Sequence, residues 1–324
     1  MKVLYANPGY YQFLPCKVTV LKENSDRHTN TGTSFSLDTG EERELFYTDE
    51  LHEHEIYFNV DVAFSNPSHS NLKIPFLKFE TNHFLNKYLA IYLDADDNTL
   101  VVANIDKNGT YREIGRISNM RPLLDFFNIN VHLFNNYNSA MLKKEKIEVI
   151  VNNDETRKLE SVSTDYYSSS QIINVYVGGG IGGAGERVFF SSLVVDNTDT
   201  IAKRCIVVPI QIDKNQWKID GGNYTADDKN LELTYKAKPA DFLKNTYVLN
   251  NSTEVLSLQM GGIPAFCIGA SDVECLIDGT SIGTYALPTQ KEYGVETKQI
   301  EKNPSNNFIW NVNSISQAKF TIKS

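Results

Sequence analysis

The chain has 324 residues, of which 41% are hydrophobic and 22% charged, and carries a formal net charge of −9. At a soft allowance of about 150 residues per domain this is two domains, each able to bury its own core. The composition excludes a disordered or fibrous chain, and the net negative charge, with 31 Lys and Arg residues scattered and forming no stripe, excludes nucleic acid as a partner.

Taken from the N-terminus, the apolar run that opens the chain breaks at Asn7-Pro8-Gly9, short of an export-signal core. No later stretch approaches the roughly 18 uninterrupted apolar residues of a membrane helix, so neither export nor membrane insertion is expected. From residue 55 the chain alternates with period 2. In Glu55 to Phe64, Ile56, Phe58, Val60, Val62 and Phe64 share one face, and Tyr57, Asn59 and Asp61 the other, which reads as one core side and one wet side. The pattern recurs at 88–93, 100–105, 127–134, 146–151, 172–177 and 187–195. Asp94 to Asn98 and Asp106 to Gly109 supply turn chemistry between runs, so consecutive strands should be hairpins.

Helical signals are confined to Arg121–Phe127 and to Pro239–Lys244, where proline suits a first helical position. Past Ala202 the runs shorten, around 231–235, 246–249, 255–260 and 308–322, which puts a domain boundary near residue 208. Cys16, Cys205, Cys267 and Cys275 form no C-x-x-C pair and read as reduced thiols, mostly in strand-like apolar runs.

Four motifs invite chemistry and fail on context. Gly178 to Gly185 carries the letters of a dinucleotide-binding loop, but the glycines lie between two strands, where no helix N-terminus could hold pyrophosphate; a hairpin loop or strand-end bend is expected. Gly279-Thr280-Ser281-Ile282-Gly283 imitates a nucleophile elbow, yet no histidine follows His132 and the run reads as a strand entering an Asp-Gly turn. Asp94, Asp96 and Asn98 open like a calcium loop that lacks its glycine and its closing glutamate. His52 and His54 could share one strand face, but zinc needs three or four ligands, and Glu53 and Glu55 beside them read as solvated. No catalytic residue, metal or cofactor is therefore expected. The remaining candidates are loop side chains able to stack on and hydrogen-bond to a sugar or a protein surface: Asn135, Asn136, Tyr137, Tyr166 and Tyr167.

The stretch from Glu55 to Asp196 resembles the concanavalin A-like lectin/glucanase jelly roll of the laminin-G type. The likeness is carried by Glu55-Ile56-Tyr57-Phe58-Asn59-Val60, by Ile129 to Leu133 followed by Ile147 to Asn153, and by the closing run Val188 to Asp196. That closing run, its continuation Asn197 to Arg204, and Trp217 to Asp228 are similar to virion proteins of tailed bacteriophages, in which a jelly roll leads into a second β domain. The glucanase motif E-x-D-x-x-E is missing.

The resemblance implies an all-β chain: a concanavalin A-like jelly roll over 1–207 and a smaller β-sandwich over 208–324. It implies a non-catalytic structural component of the virion, made in the bacterial host cytoplasm and placed in the tail, neck or fibre region. Its partners would be copies of itself and other virion proteins, with a host-surface glycan as a further contact. The alternative is a free carbohydrate-binding lectin-like module.

Overall fold

In the computed structural model the described residues are 3–7, 35–38, 40–46, 51–65, 74–83, 85–94, 96–118, 120, 126–139, 142–162, 170–179, 187–197, 210–220, 223–237, 254–255, 258–260, 265–267, 272–286 and 298–324. The chain divides into two units, one ending at Cys205 and the other taking up Ile206–Ser324.

The first unit is a jelly-roll sandwich. Its strands are β1 Val3–Asn7, β2 Phe35–Asp38, β3 Glu42–Glu44, β4 Glu55–Ser65, β5 Pro75–Thr81, β6 Asn86–Asp94, β7 Thr99–Asp106, β8 Tyr111–Ile117, β9 Phe127–Ser139, β10 Leu142–Val151, β11 Asp154–Val162, β12 Ile172–Gly178 and β13 Arg187–Asp196. One sheet runs β1-β13-β4-β9-β10-β11 with β2 also on β13, and the other β3-β12-β5-β6-β7-β8. Every pairing in both is antiparallel. The expected hairpins are present: β6 and β7 join through the Asp94–Asn98 segment, and β7 and β8 through Asp106–Gly109, where Gly109 takes a φ of 81°. Asp106 Oδ1 accepts from the amides of Asn108 and Thr110, and these bonds hold its carboxyl below the ordinary aspartate range.

The core follows the period-2 reading. Ile56, Phe58, Val60, Val62 and Phe64 of β4 are all at most 1% exposed. They meet the other sheet through edge-on ring pairs, Phe58–Phe79 at 5.3 Å and Phe64–Phe76 at 5.2 Å. Each such phenylalanine contributes about 2–3 kcal/mol relative to an exposed one.

The other face of β4 corrects the wet-side expectation: Asn59 is 0% and Asp61 5% exposed. Asn128 on the neighbouring strand β9 donates from Nδ2 to Asn59 Oδ1 at 3.0 Å, to Asp61 Oδ1 at 2.8 Å and to the Val60 carbonyl at 3.2 Å. Polar letters at period 2 fix which side a residue faces; they do not distinguish solvation from a buried hydrogen-bond network.

The glycine run is described only at its start. Gly178 ends β12, and Gly179 donates to the Glu41 carbonyl at 2.9 Å. A Cβ on Gly179 would lie 1.8 Å from the Asp38 carbonyl oxygen, so close backbone approach, and not nucleotide binding, demands glycine there.

In the second unit a five-stranded antiparallel sheet takes the order Ile210–Asn215, Glu232–Ala237, Lys319–Lys323, Asp272–Ile277, Thr280–Ala286. Tyr235, Ile277 and Phe320 pack against Trp310, Val312 and Ile315 to form its core. Asp278 and Gly279, both at positive φ, make the hairpin turn expected of Asp-Gly, and Ser281 sits in the returning strand, so the elbow motif has no strand-to-helix turn. Cys275, in that hairpin, is a partly buried cysteine outside any disulfide.

One expectation for this unit is corrected. The run 308–322, read as alternating strand, contains the helix α1 Val312–Gln317. Asn311 caps it by accepting from the Ser314 amide at 2.8 Å while Ser314 Oγ accepts from the Asn311 amide at 2.9 Å. Six residues hold too few turns to show a helical period; only Val312 and Ile315, three apart, are buried. The helical signal at 239–244 lies outside the described residues, as does 121–125, and Phe127 opens β9.

Candidate functional site

The six-stranded sheet sends its inner residues Leu77, Phe79, Leu89, Ile91 and Val102 into the core. Register therefore places Lys78 and Glu80 of β5, Tyr88, Ala90 and Tyr92 of β6, Val101 and Ala103 of β7, Glu113 and Arg116 of β8, and Tyr176 of β12 on its outer face. Strands stand about 4.8 Å apart, so residues separated by one intervening strand start nearly 10 Å apart. Yet the ring centroids of Tyr88 and Tyr176 approach to 6.0 Å across β5, and those of Tyr92 and Tyr111 to 5.9 Å across β7, both edge-to-face. The Tyr92 and Tyr111 rings pack over Val101 and Ala103, whereas Lys78 and Glu80 of β5 lie between Tyr88 and Tyr176. Tyr92, Val101, Ala103 and Tyr111 make a hydrophobic cluster of their own, separate from the core between the sheets. Burial raises the Tyr111 phenol, and the Glu42 carboxylate raises it further, although β3 and β8 are the two outermost strands of this sheet. The two leaning couples line a trough along the middle of this face.

Charged groups bracket the rings. The Lys78 ammonium lies 4.5 Å from the Tyr88 centroid and 5.2 Å from that of Tyr176, and it pairs with Glu42 at 2.5 Å. Lys87 sits 4.9 Å over the Tyr88 ring and 3.8 Å from Glu80. Tyr176 donates its hydroxyl to Glu80 Oε2 at 2.6 Å; burial and that carboxylate both push its phenol upward, so it remains a neutral donor at physiological pH. The Tyr92 phenol is likewise raised, first by burial and then by Glu113. At the other rim Arg116 gives two bonds to Glu113, at 2.9 and 3.0 Å, and reaches Asp94 at 3.0 Å and Asp97 at 3.4 Å. At the tip that resembled a calcium loop, a guanidinium therefore engages Asp94 and Asp97.

A second ring group lies on the outer face of the seven-stranded sheet. Tyr57 and His132 stack at 4.0 Å with 6° between their planes, and Phe134 continues the stack at 6.4 Å. His132 Nε2 is 2.8 Å from Glu55 Oε1, so Glu55, read as a solvated carboxylate, holds an imidazole. Beside them Lys146 and Lys158 interleave with Glu148 and Glu160 in a ladder of ion pairs.

The residues put forward from sequence fall elsewhere. Asn135, expected in a loop, is 5% exposed within β9, and its amide donates to the His54 carbonyl at 2.7 Å. It lines a cavity of about 20 Å³ between the sheets together with Thr81, Asn86, Asn104 and Glu145, room for a single water. Asn136 and Tyr137 also belong to β9, with Tyr137 paired to Lys144, so the loop placement is corrected: the β9–β10 hairpin runs longer than its apolar pattern. Tyr166 and Tyr167 lie outside the described residues. Among the described residues no group of three or more His, Cys, Asp or Glu side chains could hold a metal ion.

Sequence reasoning located the strand at 88–93 but missed the trough. Its signal was tyrosine on the polar face of two strands, Tyr88 and Tyr92 in β6 and Tyr176 in β12, alongside Lys78 of β5. Only the strand order β12-β5-β6 makes these residues neighbours.

No family model matches the chain, and a search of curated proteins returns no match. Among solved structures it is similar to the carbohydrate-binding module CBM66 from Bacillus subtilis, at 10% identity over 55% of this chain and 92% of that one, with a TM-score of 0.34. It is similar to the alginate lyase vAL-1 from Chlorella virus at 12% identity, 61% and 100% coverage and a TM-score of 0.38. It is also similar to the exoplasmic/lumenal domain of VIP36 in its Ca2+/Man-bound form, at 11% identity, 58% and 87% coverage and a TM-score of 0.37. At these scores the likenesses carry no argument about chemistry, which rests on the residues of the trough.

Proposed function

We propose that this chain is a non-catalytic glycan-binding protein and that its ligand lies in the trough of the six-stranded sheet. The observation that carries this reading is the pair of tyrosine couples, Tyr88–Tyr176 and Tyr92–Tyr111, leaning together across their intervening strands at 6.0 and 5.9 Å. Phenol rings are apolar on their faces and polar at one end, which suits the C–H faces and hydroxyls of a sugar. Carboxylates along the trough add acceptors for those hydroxyls. The acids here are engaged with cations or donors: Glu42 with Lys78, Glu80 with Tyr176, and Asp94, Asp97 and Glu113 with Arg116. That favours binding over general acid–base work, which needs a poised carboxyl pair. A glycan array followed by calorimetry tests the reading. A hit whose affinity falls at least about tenfold in Tyr88→Ala or Tyr111→Ala supports it, because anchoring aromatics carry such costs. Release of reducing ends from a polysaccharide panel would instead identify an enzyme.

Assembly into a bacteriophage particle is a second proposal. Phe308 and Ile309 are 72% and 55% exposed and adjacent in the second unit, a feature that suits burial against a neighbouring subunit or another virion protein. Sedimentation of the purified chain over a wide concentration range tests it. A strict monomer whose behaviour is unchanged by Phe308→Ser would count against it.

A further inference from the structure

The charge arrangement in the trough goes one step beyond glycan binding, and rests on it. We infer that the ligand is a neutral glycan and that the trough rejects sugars bearing carboxylates or sulfates. Among the described residues six carboxylates border it, from Glu42, Glu44, Glu80, Asp94, Asp97 and Glu113, against three cations, Lys78, Lys87 and Arg116. Each cation already has a carboxylate within ion-pair distance. Lys78 is further pinned between two tyrosine rings, and Arg116 gives four bonds to three acids. Glu44 is taken up by the Asn174 side-chain amide.

An anionic sugar could bind a cation here only by breaking one of those pairs, and would then lie beside carboxylates bearing its own sign. Like-charge juxtaposition at an interface is strongly unfavourable and confers specificity by rejection. A neutral sugar brings only hydroxyls and C–H faces, and meets acceptor oxygens and phenols without displacing anything. The formal −9 of the whole chain acts in the same direction at long range.

Two features of the discrimination follow from its cause. It should be greatest at low ionic strength and shrink as salt shortens the screening length from about 30 Å at 0.01 M to about 3 Å at 1 M. It should also be local to the trough, and not a property of net charge.

The experiment is calorimetry with two oligosaccharides of matched length and linkage, one neutral and one bearing uronic carboxylates, at about 0.01 M and about 1 M salt. The expected result is binding of the neutral sugar at least about tenfold tighter at low salt, with the gap narrowing at high salt. Asp97→Asn/Glu113→Gln, which removes two trough charges, should narrow the low-salt gap. Glu148→Gln/Glu160→Gln, which removes two charges from the other sheet, should leave it unchanged. Equal or tighter binding of the uronic sugar at low salt would overturn the inference while leaving glycan binding intact. A gap that closes as much in the distant pair as in the trough pair would overturn its local origin. Failure of both sugars, together with an empty array, would overturn the binding reading itself and this inference with it. Should the trough variant not fold, the salt titration of the unaltered chain decides alone.

Discussion

The outer faces of the two sheets use the same residue types to different ends. On the seven-stranded sheet Asn59, Asp61 and Asn128 are sealed from solvent and satisfy one another, and His132 is stacked on Tyr57 and bonded to Glu55. On the six-stranded sheet Tyr88, Tyr111 and Tyr176 are partly exposed, and they meet other tyrosine rings and, for Tyr88 and Tyr176, lysine ammoniums. Burying a polar group costs about 1–3 kcal/mol when its partner is lost, so a sealed network mainly maintains the fold. A partly exposed ring remains within reach of a ligand. Polarity alone does not mark a binding surface; polarity combined with accessible aromatic area does.

The sharpest way to break this comparison is at Gly179, where the end of β12 meets the end of β2 and so ties one sheet to the other. Gly179→Ala should destabilise the first unit by about 3 kcal/mol, because its Cβ would meet backbone that cannot rotate aside; urea unfolding followed by circular dichroism would show it. Next in size, Asn128→Ala should cost about 2–3 kcal/mol by removing the bonds it gives to Asn59, Val60 and Asp61, while glycan affinity of the folded protein stays within about twofold. Equal damage to binding would mean the two faces are not separable. Tyr88→Ala should do the reverse, costing about 1 kcal/mol of stability through the lost Lys78 and Lys87 contacts but at least about tenfold in affinity. The smallest effect is expected on the ion-pair ladder. Lys146 holds the Glu160 carboxyl below its ordinary range, so their pair contributes above the usual glutamate pKa and is lost as pH falls through the lowered one. Lys146→Met should therefore narrow the stability difference between about pH 7 and about pH 3, by no more than about 0.5 kcal/mol for so exposed a pair. Urea midpoints at the two pH values measure it.

Much of this was legible in the chain itself. Alternation at 55–64 named the β4 core residues, and Asp106-Lys107-Asn108-Gly109 and Asp278-Gly279 named their turns, because each signal depends on neighbours within a few residues. Three readings differ from the structure, each for its own physical reason. The Asn59 and Asp61 face was taken as solvated because its partner, Asn128, is 69 residues from Asn59 in sequence. Tyr137 was taken as a loop residue because asparagines interrupt the apolar period, although the ladder to β10 continues through them. Helix α1 was too short to show a period, and only its Asn311–Ser314 capping pair announced it.

The trough lies at the far end of that scale. Sequence by itself determined that tyrosines and charges would occupy the polar sides of β6 and β12, since side-chain direction in a strand follows from counting by two. It could not determine that β5 would lie between them. That order is set by the crossover that inserts β12 beside β5 after about ninety residues. Tertiary structure alone decided that Lys78 would meet two tyrosine rings and that, among the described residues, six carboxylates would face three cations across one surface. Strand pairing is a long-range choice made by burial of the whole core, and no local pattern encodes which polar faces it will bring together.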